Sequence, residues 1–141
     1  MKKNKLIVEY EYEFTLFGIV SLVSEHKLAW EINNTLKIFL AKSEDIKLDF
    51  INNKNLIISN YIFDKEDSNL RLLKNKAYKT GQEQLYILPE LKQFDYLLVL
   101  NGFEQTFSKE DIINSLNKID VIQYIINIEI EKLKSKENLV F

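Results

Sequence analysis

Apolar and polar positions alternate along much of this chain, and each change of period marks a change of predicted element. Glu9-Tyr10-Glu11-Tyr12-Glu13-Phe14 puts acids on one face and aromatics on the other, which predicts a half-buried strand. Phe14 to Val20 is apolar on both alternating faces and carries the strand into the sheet interior, with Gly18 marking a bulge or a close backbone approach. A helical period then takes over. Ala29, Ile32, Leu36 and Phe39 or Leu40 recur at helix spacing and predict a helix over residues 23–38, capped by Ser21 or Ser24.

From Asp45 the period returns to two. Ile46 to Ile51 alternates, Asn52 to Asn55 is a turn, and Leu56 to Phe63 reads as the return strand of a hairpin. Asp64 to Asn69 is a charged turn, Leu70-Arg71-Leu72-Leu73 a further strand at an edge, and Lys74 to Glu83 the least ordered loop of the chain. Gln84 to Leu88 and Phe94 to Asn101 supply two more strands around Pro89, the single proline, whose fixed φ and missing donor predict a turn or one helical turn before Phe94. The run from Phe94 to Leu100 is the most apolar of the chain and predicts the centre of a sheet covered on both faces, with Tyr96, Leu98 and Leu100 buried together on one of them.

Ser108, three residues before Asp111, opens a second helix with Ile112, Ile113, Leu116 and Ile119 on its apolar stripe. Val121 to Ile128 follows as a buried strand, parallel to the central one if the helix makes a crossover. The tail begins as a short helix and ends on Leu139-Val140-Phe141, an apolar end that must dock on its own domain or on another chain. These elements predict one globular α+β domain over residues 1–141, a mainly antiparallel sheet of six or seven strands with two helices covering one face.

Composition narrows the chemistry. A chain of 141 residues buries roughly two-thirds of its unfolded surface, enough for a core without staples. The absence of cysteine removes disulfides, thiolate metal sites and a cysteine nucleophile, and agrees with a cytoplasmic address. The longest uncharged stretch, Phe14 to Ser24, is short of the ~18 residues of a membrane span, and no export signal is visible, so a soluble protein with no membrane partner is expected. The net charge of -2, and a single arginine among 19 basic residues, argue against a nucleic-acid partner.

Candidate sites are few. Glu9, Glu11 and Glu13 would lie ~6.6 Å apart along a strand, too far to share one small cation, so a solvated face is preferred to a metal site. His26, the single histidine, shares a helix face with Trp30 but has no second ligand or nucleophile nearby and reads as a surface or packing residue. The three glycines do not cluster into a phosphate loop. No cofactor or metal site is indicated.

The remaining candidate is Leu88-Pro89-Glu90 with Phe94-Asp95-Tyr96. These residues resemble the I-P-E-x-x-x-V-D-Y signature of the bacterial family called after it, with leucine for isoleucine and phenylalanine for valine. The Phe14-x-Leu16-x-Gly18-Ile19-x-Ser21 segment, the Lys27-Leu28-Ala29-Trp30-x-Ile32-Asn33 helix and Leu133 to Leu139 are similar to the family's other recurrent segments, so the resemblance covers nearly the whole chain. It implies no activity, substrate or catalytic residue, because the family is uncharacterised.

Two functions follow from the residues. One is a non-enzymatic binding or adaptor module acting through protein–protein contacts, with a protein partner or as a homo-oligomer. The alternative is a small enzyme using the carboxylates of Glu90 and Asp95 in acid/base work. The structural role competing with the second has Glu90 bracing the turn after Pro89 and Asp95 accepting backbone hydrogen bonds at a strand start.

Overall fold

The computed structural model describes residues 14–49, 55–66, 68–77, 85–102 and 107–139. Strand β1 (Thr15–Val20) leads into helix α1 (Glu25–Leu36), followed by β2 (Ala41–Lys42), β3 (Ile46–Asp49), β4 (Asn55–Ile58), β5 (Asn60–Lys65), β6 (Ser68–Lys74), β7 (Tyr96–Asn101), α2 (Lys109–Leu116) and β8 (Tyr124–Ile128). Short 3₁₀ turns occupy Pro89–Leu91, Ile130–Lys132 and Lys136–Leu139. Strands β2-β5-β6-β7-β1-β8 form one antiparallel sheet in that order, and β3 and β4 form a separate hairpin.

The α+β expectation holds, with both helices on one face. Phe17, Ile19, Leu70, Leu72, Tyr96, Leu98, Leu100 and Ile125 point from the sheet into a core shared with Leu28 and Ile32 of α1 and Ile112 and Leu116 of α2. The opposite face is covered as well. Leu16, Leu73, Leu97, Val99 and Ile128 meet Leu56 and Ile58 of the hairpin, Ile87 and Leu88 before the 3₁₀ turn, and Ile130, Leu133 and Leu139 of the C-terminal segment. A strand between two cores must be apolar at successive positions, and every residue of β7 from Tyr96 to Leu100 is buried. Strands β7 and β8 both run antiparallel to β1, so they are parallel to each other across it, with α2 in the connection between them.

Local chemistry sets the element ends. Ser24 is the N-cap of α1, its Oγ accepting from the Lys27 amide at 3.3 Å. The helix stops at Leu36, short of the expected residue 38, because Lys37 turns left-handed at φ 59° and the Asn33 side chain clamps both backbone groups of Leu40, at 2.7 and 3.1 Å. Ser108 caps α2 through the Asp111 amide at 3.1 Å. Helix and cap thus agree with the sequence pattern.

Four expectations are corrected. Leu56 to Phe63 is not one strand: the chain changes sheets at Ser59, whose buried hydroxyl donates to Glu25 Oε1 at 2.7 Å and accepts from Lys42 Nζ at 3.0 Å. Strand β6 is not an edge but lies between β5 and β7, where Leu70, Leu72 and Leu73 are buried on both faces. The last strand starts at Tyr124 rather than Val121, because the Val121 carbonyl is taken by the Ser21 hydroxyl at 2.6 Å and the Ile122 amide by a turn onto Ile119. Of the expected strand Gln84 to Leu88, Gln84 lies outside the described residues and Leu85 to Leu88 form no strand; Tyr86 makes one isolated bridge with Lys76, and the Ile87 and Leu88 amides then turn to Asn75. The expected strand over Glu9 to Glu13 and most of the loop from Lys74 to Glu83 lie outside the described residues. Among the described residues no helix is long and apolar enough to cross a membrane.

Candidate functional site

Pro89 begins the 3₁₀ turn Pro89–Leu91, as its missing donor requires, and the turn reverses the chain into β7. Asn75 holds this corner. It is wholly buried; its Nδ2 donates to the carbonyls of Leu91 and Phe94, each at 3.0 Å, and its Oδ1 accepts from the Leu88 amide at 3.0 Å. Its backbone completes the frame, the amide donating to Asp95 O and the carbonyl accepting from the Ile87 amide. The side chain of one asparagine thus satisfies three backbone groups on both sides of the turn, and its backbone two more.

The motif residues reach outward from that frame to two distant segments. Phe94 packs over Gly18 of β1 and stacks on Tyr124, ring centroids 6.4 Å apart. Asp95 Oδ2 accepts from the Ser21 amide at 2.9 Å, and the Tyr96 hydroxyl donates to the Val23 carbonyl at 2.6 Å. Together they fix the β1–α1 connection. On the other side of the turn, Glu90 accepts from the amides of Lys134 and Ser135 at 2.7 and 3.0 Å and from the Ser135 hydroxyl at 2.5 Å. Asn138 adds a bond to Ile87 O at 2.7 Å, and Leu139 is buried, so the tail docks on its own domain. Val140 and Phe141 lie outside the described residues.

Glu90 and Asp95 therefore brace different neighbours. The partial burial of Glu90 acts to raise its carboxyl pKa, but the hydrogen bonds from Ser135 and Lys134 outweigh it and hold the group below the usual carboxylate range. Tyr96 moves the other way: burial first, then the charges of Glu25 and Asp95 and the neighbouring Tyr61, push its hydroxyl up to about 12.

A cleft of about 510 Å³ opens beside the clasp. It is lined by Phe94 and Tyr96, by the Ser21–Ser24 connection, and by Lys74, Lys76 and Lys92 together with Tyr86 and Asp95. None of these three lysines has an ion-pair partner among the described residues. Glu90 is not part of the lining. No protein-family model, curated protein or solved structure matches this chain. What the cleft can do must be read from its own chemistry.

Most of its hydroxyl and carboxyl groups are already engaged. Ser21 Oγ donates to Val121 O, Ser24 Oγ caps α1, Asp95 holds the Ser21 amide, and Tyr96 is bonded to Val23 O. His26 is exposed on α1 and is not among the lining residues. Among the described residues no group of three or more histidine, aspartate or glutamate side chains is placed to hold a metal ion. The features without a partner among the described residues are cationic and apolar: three lysines, and the side chain of Leu22, 85% exposed.

Leu88, Pro89, Glu90, Phe94, Asp95 and Tyr96 were legible as a motif, and the structure brings them into one clasp. Asn75 and the lysine set were not, and Ser21, expected as a possible helix cap, instead donates its amide to Asp95 and its hydroxyl to Val121 O. Lys74 and Lys92 are far apart in sequence and come together because β6 pairs with β7 in the register Lys74 to Tyr96, which the Pro89 turn then overhangs.

Proposed function

We propose that this chain is a non-enzymatic binding module whose cleft takes an acidic segment of a protein partner. The observation that supports this is the lining itself: three lysines without ion-pair partners among the described residues, beside the rings of Phe94, Tyr96 and Tyr86 and a single carboxylate that is already bonded to the Ser21 amide. A carboxylate-bearing segment gains charge-assisted contacts there, and an apolar residue beside its acids covers the exposed Leu22. The enzyme alternative requires Glu90 and Asp95 to converge on one substrate. Their separate hydrogen-bond partners, and a cleft lining that includes Asp95 but not Glu90, give it less support. A cytoplasmic site of action fits a chain without cysteine, and the resemblance in the motif supports reading it as a divergent relative of the I-P-E-x-x-x-V-D-Y family.

Fluorescence anisotropy with acidic, basic and neutral peptides of equal length tests the reading. Binding of the acidic peptide should weaken steeply with added salt and be lost when Lys74, Lys76 and Lys92 are changed together to glutamine. Equal binding of all three peptides, or acidic-peptide binding unchanged in the triple variant, would overturn it.

A further inference from the structure

The two ends of the sheet are built differently. At one end β2 has only two residues, one of them Lys42, and the exposed end of β5 beside it carries Asp64 and Lys65. Short length and charge are how sheet edges avoid pairing with other chains. At the other end β8 has five residues, Tyr124-Ile125-Ile126-Asn127-Ile128, with no charge, no proline and no glycine. β1 occupies one side of it, and among the described residues no strand pairs with the other. Among the described residues one edge is protected and the other is not.

We infer that the open edge of β8 pairs with β8 of a second copy of this chain, antiparallel and with Ile126 on the two-fold axis. The occupant follows from the sequence of the edge itself. In that register Tyr124 lies opposite Ile128 of the second copy, Ile125 opposite Asn127, and Gln123 opposite Glu129, so no like charges meet. Sliding the second copy by two residues toward the C-terminal end of β8 sets Glu129 opposite Ile125 and puts a charge against an apolar side chain. Tyr124 and Ile126 point to the same face of β8. Tyr124 is 52% exposed and Ile126 half-buried, and the same residues from the second copy would cover them, extending the six-stranded sheet to twelve strands. This pairing is independent of what the lysine cleft binds.

Sedimentation velocity over a concentration series, with the full chain, tests it through the exposed Gln123. Gln123→Glu puts two like-charge pairs into the dimer and should weaken association roughly two- to thirtyfold, whereas Gln123→Lys, placed opposite Glu129, should tighten it. Both variants should melt as the wild type does when dilute, since the Gln123 side chain is exposed. An isotope-filtered NOE between the Tyr124 ring of one copy and the Ile128 methyls of the other should appear in the mixed-label dimer. A chain monomeric at every concentration overturns the proposal, as does a dimer indifferent to both charge changes and lacking that NOE.

Discussion

The ring of Phe94 lies directly against the backbone of Gly18. A Cβ placed on Gly18 would come within 2.7 Å of Phe94 Cγ and 2.8 Å of Ile128 Cδ1, closer than real carbon contacts allow. The glycine is the socket into which the first residue of the Phe94-Asp95-Tyr96 triplet fits, and the next two residues bond to Ser21 and Val23. Gly18→Ala should therefore destabilise the protein by about 1–3 kcal/mol through overpacking. Urea denaturation of Gly18→Ala, Phe94→Leu and the double variant checks this: the double variant should lose less than the sum, because the smaller side chain relieves the clash. Strict additivity would place the cost elsewhere than in this contact.

Asn75 is expected to be the most costly polar substitution. Asn75→Ala strands the Leu88 amide and the Leu91 and Phe94 carbonyls in a buried corner. With about 1–3 kcal/mol for each unsatisfied group, the loss should be about 3 kcal/mol or more. Lys76→Ala, one residue away and exposed, should stay within about 0.5 kcal/mol of the wild type. Chemical denaturation midpoints for the two variants decide it.

That asparagine also shows where reading the chain by pattern runs out. β1, α1, β7 and α2 were legible because burial parity and caps are local: Tyr96, Leu98 and Leu100 share a face by period alone, and Ser24 and Ser108 sit where a helix needs an acceptor. Asn75 lies in a polar stretch and bonds only to backbone groups of Leu88, Leu91 and Phe94, and backbone groups are the same for every residue type. Nothing in its neighbours marks it as buried. The Ser59-Asn60 pair did carry a signal, two polar residues inside an apolar run, which is what a chain changing sheets requires. Strand order is different in kind: whether β6 is interior or edge depends on which strand returns beside it, and apolar residues on both faces, Leu72 and Leu73, were the available clue.

Glu90 should make the tail pH-sensitive. Its folded pKa lies below its unfolded value of about 4.3, so the stabilisation is fully present above that value and is lost as pH falls through the folded pKa. Glu90→Gln cannot accept the three bonds from Lys134 and Ser135 as an anion. The melting temperature of the wild type should exceed that of Glu90→Gln at neutral pH, and the gap should close in acid. A gap that stays constant down to the acid limb would mean that charge on Glu90 is not what holds the tail.

Tyr96 titrates in the opposite sense and at the other end of the scale. With its hydroxyl pushed up to about 12 against about 10 in the unfolded chain, the folded state keeps a proton that the unfolded state gives up. Its contribution to stability is full below about pH 10 and declines as pH rises from there toward 12, as linkage requires when the unfolded state binds fewer protons. The cause is physical and local: ionisation would leave an anion in a half-desolvated site beside the carboxylates of Glu25 and Asp95, and would remove the hydrogen bond to Val23 O. An ultraviolet absorbance titration of the wild type should show seven tyrosines with a late-titrating phase, and Tyr96→Phe should remove that phase and no other. The same variant should free the Val23 carbonyl and loosen the wall of the cleft, so backbone amides of the β1–α1 connection should exchange faster than in the wild type. If the late phase survives in Tyr96→Phe, a different tyrosine carries the raised pKa and the clasp does not shield Tyr96 in the way its bond to Val23 requires.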